Sequence, residues 1–262
     1  MDKILVFIPA YNCEKQIVRV LGQFDEEVLK YISEIIVVNN RSTDNTEIVA
    51  ADYLRDHPEL PAKLLRNKEN YGLGGSHKVA FDHAINNGFD YCIVLHGDDQ
   101  GMIRDFLPVL ESKYYRKHDC ILGARFMNGS RLEGYSAFRT FGNVVYDFLF
   151  AAVVRKRIYD LGSGLNMYRV DMLRDRFYEK FPDNLMFNYC MILASDYFGH
   201  DIRFYPVSWR EDDQVSNVKM MSQAVKVLKM LKEYYSDPEV ITEDYRDVPI
   251  DSYEAETVIN GQ

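Results

Sequence analysis

The segment 95–101, LHGDDQG, places polar side chains directly after an apolar run of strand character. His96, Asp98 and Gln100 alternate along it, so their side chains share one face if the backbone stays extended. Carboxylate and amide oxygens suit Mg²⁺ or Mn²⁺, and an imidazole shifts the preference toward Mn²⁺. The segment therefore predicts a divalent cation bound by Asp98 and Gln100. It leaves open whether His96 is a third ligand or only a hydrogen-bonding group.

Short apolar runs alternate with segments of helical length along the first half of the chain. The apolar runs cover 3–8, 34–38, 62–66, 91–95 and 120–124, and the helical segments cover 14–30, 43–56, 74–88 and 102–117. The alternation predicts an α/β fold with a mainly parallel sheet, right-handed crossovers and helices on both faces. Because ligands of such sheets bind beyond the carboxyl ends of the strands, the polar segments there should meet along one edge. These segments are 9–14, 39–44, 67–75 and 96–100.

Length and charge constrain the organisation of the chain. We expect one domain over residues 1–236, divided into two halves, 1–117 and 118–236. Residues 237–262 hold eight acidic residues against the single Arg246, which predicts a mobile acidic tail. With a formal net charge of −9 the chain has no basic surplus for a phosphate backbone, so nucleic acid is not an expected partner.

The cysteine pattern and the longest apolar segments bear on the cellular location. The four cysteines form neither CxxC pairs nor a disulfide-dense pattern, which favours reduced thiols and a cytoplasmic protein. No apolar run approaches the roughly 20 residues of a membrane-spanning helix. Residues 140–157 predict an apolar helix with a basic end, and such a helix either packs in the core or lies on a membrane. The second alternative would make the protein peripheral at the cytoplasmic membrane face.

Seven segments carry a resemblance to a known family. IPAYNCE (8–14), VVNNRSTDNT (37–46), NYGLGGSHKVAFDHA (70–84) and LHGDDQG (95–101) resemble, in order and spacing, the signature of family 2 glycosyltransferases. LGARFMNG (122–129), RTFGN (139–143) and DLGSGLNMYR (160–169) further resemble the dolichyl-phosphate mannose synthase and polyprenyl-phosphate glycosyltransferase branch. The resemblance implies a GT-A type, Rossmann-like fold, in which residues 1–117 form the nucleotide-sugar half and residues 118–236 form the acceptor half. It also implies metal-dependent transfer of a hexose from a UDP- or GDP-sugar.

We assign donor binding to residues at the four strand ends and to one arginine near the end of the acceptor half. The assigned residues are Pro9, Ala10, Tyr11, Glu14, Asn39, Lys78, His96, Gly97 and Arg210. In the family the strand-end motif is Asp-x-Asp, so His96 replaces its first acid and Asp98 retains the second. Asn39 likewise replaces a family Asp, which leaves the choice between uracil and guanine open. Cys13 stands where the branch has Glu, which leaves the role of Glu14 open.

The resemblance also implies residues that act on the acceptor. Arg125 and Arg139 would grip phosphates, and Arg210 matches a third arginine, although the acidic segment EDDQVSN follows it. A hydroxyl acceptor needs a carboxylate base, for which Asp160 is the reserve candidate, whereas a lipid phosphate is already an anion. We therefore expect catalysis to involve Asp98, Arg125, Arg139 and Asp160. The acceptor would be a polyprenyl phosphate or a cell-surface glycan precursor.

Two other functions remain as alternatives. The amides at Asn39 and Asn40 and the imidazole at His96, in place of acids, are compatible with a catalytically silent nucleotide-sugar-binding protein. A sugar nucleotidyltransferase would need a glycine-rich phosphate loop after the first strand. The segment IPAYNCEKQ has no glycine, which disfavours that class.

Overall fold

The computed structural model describes residues 1–211 and 220–260, apart from the side chains of Phe138 and of residues 220–224. Ten strands lie within these residues: β1 (Ile4–Ala10), β2 (Glu34–Asn39), β3 (Ala62–Asn67), β4 (Tyr91–Leu95), β5 (Cys120–Ala124), β6 (Arg131–Glu133), β7 (Leu165–Arg169), β8 (Ile202–Pro206), β9 (Ser208–Arg210) and β10 (Ala255–Ile259). Eight of them form one sheet in the order β10-β3-β2-β1-β4-β7-β5-β8, and β6 pairs with β9 in a small second sheet.

Nine α-helices connect the strands in the same described residues: α1 (Ile17–Leu21), α2 (Glu26–Leu29), α3 (Thr46–Asp56), α4 (Gly72–Asn86), α5 (Leu107–Glu111), α6 (Ala137–Val154), α7 (Val170–Leu173), α8 (Phe187–Tyr197) and α9 (Met220–Ser236). Short 3₁₀ turns cover Ile103–Phe106, Tyr114–Lys117, Phe177–Lys180 and Pro238–Thr242. The predicted helix over 14–30 is instead two short helices, because the chain leaves α1 at Gly22 and Asp25 caps α2 through the amides of Glu27 and Val28.

The large sheet is mainly parallel and is covered on both faces, which confirms the predicted α/β fold. β3, β2, β1 and β4 run parallel, whereas β7 runs antiparallel between β4 and β5. Along β1, Leu5 and Phe7 join one buried core, and Ile4, Val6 and Ile8 join the other. A strand buried on both faces has no polar side, so its sequence is a continuous apolar run rather than an alternating one.

The carboxyl ends of β1, β2 and β4 meet, as the strand order requires. The amide of Gly97 donates to the carbonyl of Pro9 at 3.1 Å, and the amide of Asn40 donates to the carbonyl of Ala10 at 2.9 Å. The polar segments that follow these strands therefore share one edge, where the sequence predicted them.

The acidic tail was predicted to be a mobile segment. In the structure, part of it forms a strand of the large sheet. Its strand β10 pairs antiparallel with β3 and forms the outer edge of the sheet. Glu256 lies 2.7 Å from Arg66 of β3, and Glu254 pairs with Lys68 just after β3, so acids of the tail face bases of this edge. The charge count missed this pairing because the neutralising bases lie nearly 190 residues earlier in the chain.

Candidate active site

The turn after β4 holds the residues that were predicted to bind a cation. The backbone leaves the extended conformation at Gly97, and Asp99 adopts a left-handed φ of 60°. The condition under which alternate residues would share one face, an extended backbone, is therefore not met. A Cβ atom at Gly97 would lie 2.8 Å from the carbonyl oxygen of Pro9, so the close approach of the turn to β1 requires glycine.

Asp98 lies at the open side of this turn and is partly buried. Its Oδ1 accepts a hydrogen bond from the amide of Gln100 at 3.2 Å. Burial raises the pKa of Asp98 to about 6, and the nearby charge of Asp99 acts in the same direction. A carboxylate that loses solvation in this way gains more from a bound cation than an exposed carboxylate does.

His96 packs its ring against the backbone of Gly164, where a Cβ atom would lie 2.7 Å from Cγ of His96. Burial, with a smaller contribution from the charge of Arg125, lowers the pKa of His96 to about 4, so the imidazole is neutral near pH 7. Nδ1 lies 4.0 Å from Oδ2 of Asp98, and Nε2 is buried without a hydrogen-bond partner. A neutral imidazole beside a carboxylate is a donor set that fits Mn²⁺ or Mg²⁺.

The protein ligands at this turn are few. Among residues 1–211 and 220–260, no group of three or more His, Cys, Asp and Glu side chains is arranged to hold a metal ion. A cation at the turn would therefore be held by Asp98, with Gln100 and His96, and otherwise by oxygens of a bound phosphate. This division of ligands is usual for Mg²⁺ in nucleotide sites.

Asp99 is buried and anchors the turn to the rest of the domain, which the sequence did not predict. Its carboxylate accepts from Nε of Arg19 at 2.6 Å and from Nε2 of Gln23 at 3.1 Å, and it pairs with Arg210. Arg210 also donates from Nε to the carbonyl of Asp99 at 2.8 Å. Arg210 was predicted to bind the donor, and in the structure it lies at the end of β9 and holds Asp99 in the turn after β4. Of the acidic segment after Arg210, residues 212–217 lie outside the described residues.

The nucleotide side of the edge is formed by the ends of β1 and β2. The ring of Tyr11 is 49% exposed and is available to cover a base. Asn39 is buried, donates to Glu47 at 2.7 Å and accepts from the amide of Ser42 at 3.0 Å, so both ends of its amide bind the protein itself. Glu14 accepts from the amide of Asn45 at 2.9 Å, immediately before α3. In the structure Asn39 and Glu14 therefore fix the loops at this edge, and their contacts with a donor stay a prediction.

Lys78 was predicted to reach the donor phosphates and instead points into the protein. Its ammonium group is buried and donates to the carbonyl of Phe181 at 2.7 Å, to Asp183 at 2.7 Å and to the hydroxyl of Tyr253 at 3.0 Å. Burial lowers the pKa of Lys78, while Asp183 opposes this effect. Lys78 thus joins α4, the segment before α8 and the C-terminal segment, and the structure does not bring it to the edge where the other predicted donor residues lie.

Arg125 and Asp160 form a buried ion pair at the acceptor side. Nε and one terminal nitrogen of Arg125 donate to the two carboxylate oxygens at 2.7 and 2.8 Å, and the amide of Gly162 also donates to Asp160 at 2.9 Å. The rings of Tyr135 and Trp209 lie 5.7 and 5.1 Å from the guanidinium carbon. With both oxygens occupied, Asp160 fixes the arginine and is not positioned as a base.

Arg139 is the second arginine that was predicted to bind phosphate. It pairs with Glu211, and its guanidinium lies 5.2 Å from the ring of Tyr135. The same ring of Tyr135 also lies near the guanidinium group of Arg125, so the two arginines flank one ring. The structure therefore brings the two predicted arginines together, each with a carboxylate partner.

Asp147 was missed as a residue of this region. It lies on α6, is 5% exposed, and its Oδ1 has no hydrogen-bond partner. Burial raises its pKa to about 8, the charge of Asp160 raises it further, and Arg125 opposes the shift. The available signal was an acid in the otherwise apolar segment 144–154, which indicates a buried carboxyl group on a packed helix.

Comparisons with known proteins agree with this geometry. The sequence model of the family described as Glycosyl transferase family 2 matches residues 5–177. A dolichyl-phosphate beta-glucosyltransferase of Trichomonas vaginalis is 23% identical over 94% of this chain and 76% of its own. Another, from Dictyostelium discoideum, is 22% identical over 86% of this chain and 71% of its own.

A solved structure shows the same fold. Glucosyl-3-phosphoglycerate synthase of Mycobacterium tuberculosis, in complex with Mn²⁺, UDP-glucose and phosphoglyceric acid, superposes with a TM-score of 0.62 at 16% identity. The match covers 90% of this chain and 80% of that one, which agrees with the expected GT-A type. Because the family model covers most of the chain, the motifs at the strand ends are family motifs. The chain belongs to glycosyl transferase family 2 and is similar to dolichyl-phosphate glucosyltransferases.

Proposed function

We propose that this protein is a metal-dependent, inverting hexosyltransferase that uses a UDP- or GDP-sugar. The acceptor is a polyprenyl phosphate or a cell-surface glycan precursor. One observation carries the proposal: the partly buried carboxylate of Asp98 lies just after the carboxyl end of β4, with its Oδ2 4.0 Å from Nδ1 of His96. Such a pair is well suited to a cation that carries a diphosphate.

Different residues at this edge of the sheet would bind different parts of the donor. Tyr11 covers the base, and Asp98 binds the cation with Gln100 and His96. A Mn²⁺ or Mg²⁺ ion held by these residues would neutralise the negative charge that develops on the diphosphate as it leaves. The bond from the sugar C1 to the diphosphate oxygen breaks while an acceptor oxygen bonds to C1 from the opposite face, which inverts the configuration.

The environment of Asp160 favours a phosphate acceptor over a hydroxyl acceptor. A hydroxyl must lose its proton to a base, and Asp160 is held on both oxygens by Arg125. A phosphate oxygen needs no base, only cations that aim it at C1, and Arg125 and Arg139 lie together for that task. The names of the dolichyl-phosphate glucosyltransferase relatives support the same acceptor class.

Helix α6 supports contact with a membrane that would present a lipid acceptor. Its outer side exposes Phe141, Val144, Val145 and Phe148, at the spacing of one helical face, with Phe141 and Phe148 about 70% exposed. The basic segment 155–157 follows the helix and suits anionic lipid headgroups. In the described part of the chain no helix is long and apolar enough to cross a bilayer. We therefore propose peripheral attachment at the cytoplasmic membrane face.

The proposal is tested by calorimetric titration of UDP and GDP in the presence of Mn²⁺. Asp98→Ala should abolish the Mn²⁺-dependent part of nucleotide binding, because the protein would lose its main anionic ligand. Asp56→Ala, which changes an exposed acid at the end of α3, is the matched control. Nucleotide affinity that is unchanged in Asp98→Ala would remove Asp98 from the site. A thermal-shift panel of UDP- and GDP-sugars with Mn²⁺ would then identify the donor.

A catalytically silent nucleotide-sugar-binding protein is the second candidate. Asn39 and Asn40 stand where acids were expected. The side-chain amide of Asn40 donates to Asn70 and accepts from Asn67 and from the backbone amide of Tyr71, so it bonds within the protein. Slow Mn²⁺-dependent hydrolysis of a bound nucleotide sugar would exclude this candidate. Binding without hydrolysis or transfer across the donor panel would favour it.

A further inference from the structure

We infer that Glu47 is a positioning residue for the loop 40–45, which follows β2 at the nucleotide side of the edge. Its carboxylate fixes the orientation of the side-chain amide of Asn39, and that amide holds the backbone of the loop at Ser42. The contacts that carry the inference do not depend on the activity of the protein. Their consequence for nucleotide binding rests on the proposed function.

The side-chain amide of Asn39 has one orientation that satisfies both of its neighbours. Asn39 ends β2 and is 2% exposed. Its Nδ2 donates to Oε2 of Glu47 at 2.7 Å, and its Oδ1 accepts from the amide of Ser42 at 3.0 Å. A carboxylate only accepts and a backbone amide only donates, so an exchange of Oδ1 and Nδ2 would break both hydrogen bonds. Glu47 therefore decides which end of the amide meets the loop.

Glu47 lies in the first turn of α3 and is itself held by a base of β3. A terminal nitrogen of Arg66 donates to Oε1 of Glu47 at 3.0 Å, so the two oxygens of Glu47 bind Arg66 and Asn39 separately. The same guanidinium donates from Nε to Glu256 of β10 at 2.7 Å. The side chains of Arg66 and Glu47 are 35% and 24% exposed, so water screens this pair only in part. The C-terminal strand thus contributes to the support of the loop after β2.

The loop 40–45 is hydrogen-bonded to the residues that follow β1. The amide of Asn12 donates to Oγ of Ser42 at 3.0 Å, and the amide of Thr43 donates to Oδ1 of Asn12 at 2.8 Å. Asn12 follows Tyr11, the residue proposed to cover the base. A displacement of Ser42 would therefore move the backbone next to Tyr11, which connects Glu47 to the nucleotide side through two loops.

The position of Glu47 also gives a physical reason for an amide at residue 39, where the family has an acid. Asn39→Asp would bring a second carboxylate to the 2.7 Å contact with Glu47, and neither group has a proton to donate near pH 7. Glu47 and Glu256 already share Arg66, so the substitution would leave three carboxylates around one guanidinium. Asn39 is therefore the loop-fixing partner of Glu47 rather than an acid that was lost.

A reciprocal exchange of amide and carboxylate tests the inference. In the nucleotide-free protein, Asn39→Asp should speed hydrogen exchange of the Ser42 amide about 10-fold, because repulsion from Glu47 displaces the side chain that accepts from it. Adding Glu47→Gln should restore the wild-type rate, since the glutamine amide then donates to the new carboxylate. Asn86→Asp adds the same charge at an exposed position of α4 and is the matched control. A double variant that exchanges as fast as Asn39→Asp, or a single variant that exchanges like the wild type, would overturn the inference.

Two further comparisons keep the test decisive. If Asn39→Asp does not fold, the double variant with Glu47→Gln should fold, and its failure to do so would also overturn the inference. Arg66→Met should speed the exchange of the Ser42 amide, because Glu47 loses its cation. Arg55→Met, which removes an arginine of α3 that is 59% exposed, should not. Equal exchange rates in these two variants would contradict the part assigned to Arg66.

Nucleotide affinity provides the readout that a purely structural contact would leave unchanged. With Mn²⁺ present, Asn39→Asp should weaken the binding of UDP or GDP about 10-fold, because fewer molecules hold the loop in its binding conformation, and the double variant should recover it. A carboxylate at residue 39 that faced the base would instead accept from the imide N–H of uracil or guanine. Tighter binding in Asn39→Asp would therefore refute the inference. If the wild type binds neither nucleotide, the proposed function fails, and hydrogen exchange alone decides the inference.

Discussion

Replacing Asp147 with Asn should stabilise the protein by an amount that grows with pH. Asp147 is buried on α6, Oδ1 lacks a partner, and the negative charge of Asp160 is close enough to oppose ionisation. Burial, as the largest cause, raises its pKa from the ordinary value of 3.8 to about 8. The folded protein therefore keeps a proton on Asp147 at neutral pH, which the unfolded chain releases.

The sign and size of the effect follow from that difference in bound protons. Between pH 4 and pH 8 the folded state binds one more proton than the unfolded state, so the free energy of unfolding falls as pH rises. The slope for one proton is about 1.4 kcal/mol per pH unit, and the cost reaches on the order of 4 kcal/mol at pH 7. Asn has no charge to desolvate and avoids this cost. The advantage of Asp147→Asn over the wild type should therefore increase by about 2–3 kcal/mol from pH 5 to pH 7.

Urea unfolding of both proteins at several pH values measures this advantage directly, because other titrating groups contribute equally to the two proteins. Asp56→Asn is the matched control, since Asp56 is exposed and its substitution should give a difference that does not change with pH. A constant difference between Asp147→Asn and wild type from pH 5 to pH 7 would refute the reasoning. It would mean that Asp147 ionises normally in the folded protein.

Four further outcomes are expected. Lys78→Met should lower the free energy of unfolding by about 3–5 kcal/mol in urea, because it leaves a partly buried carboxylate without its cation. Gly164→Ala should weaken Mn²⁺ binding at least 10-fold by calorimetry, since its Cβ would displace the ring of His96 from 2.7 Å. Phe148→Glu should reduce binding to anionic phospholipid vesicles roughly 10-fold in a flotation assay. Glu211→Gln should tighten binding of an anionic acceptor several-fold by calorimetry, because it releases Arg139.

Matched controls are available for three of these outcomes. Lys229→Met removes a lysine that is 75% exposed and should cost little stability. Gly142→Ala adds a Cβ atom that meets nothing within 4 Å and should leave Mn²⁺ binding intact. Ile48→Glu changes an apolar side chain that is 61% exposed on α3 and should leave vesicle binding intact. If a control variant changed stability, Mn²⁺ binding or vesicle binding as much as its test variant does, the corresponding explanation would be contradicted.

The fold was largely predictable because its signals are local. β1, β2 and β4 are buried on both faces, so each is a continuous apolar run that periodicity identifies without knowledge of its neighbours. The C-terminal strand β10 was not predictable in this way. Its five residues, AETVI, are a short run in an acidic segment, and the bases that pair with Glu254 and Glu256 lie far away in the sequence, in β3 and just after it.

The location of the site could be predicted from the sequence, but most of the contacts that its side chains make could not. The strand order brings the polar segments to one edge, which the alternation of strands and helices already implies. The partners of individual side chains are long-range: Lys78 meets Asp183 across 105 residues, and Arg210 meets Asp99 across 111. A sequence shows that a lysine follows a glycine-rich turn, but not which carboxylate the fold brings to it.

The carboxylate partners of the arginines decide which arginine is able to exchange its partner for a phosphate. Asp160 is 1% exposed and its partner Arg125 only 8%, so separation of this pair would leave a buried charge, at a cost of about 3–5 kcal/mol. Arg139 is 33% exposed in its pair with Glu211, and water solvates both groups as they separate. We therefore expect an incoming phosphate to displace Glu211 from Arg139. Arg125 then contributes a fixed positive potential from its place beside the shared ring of Tyr135.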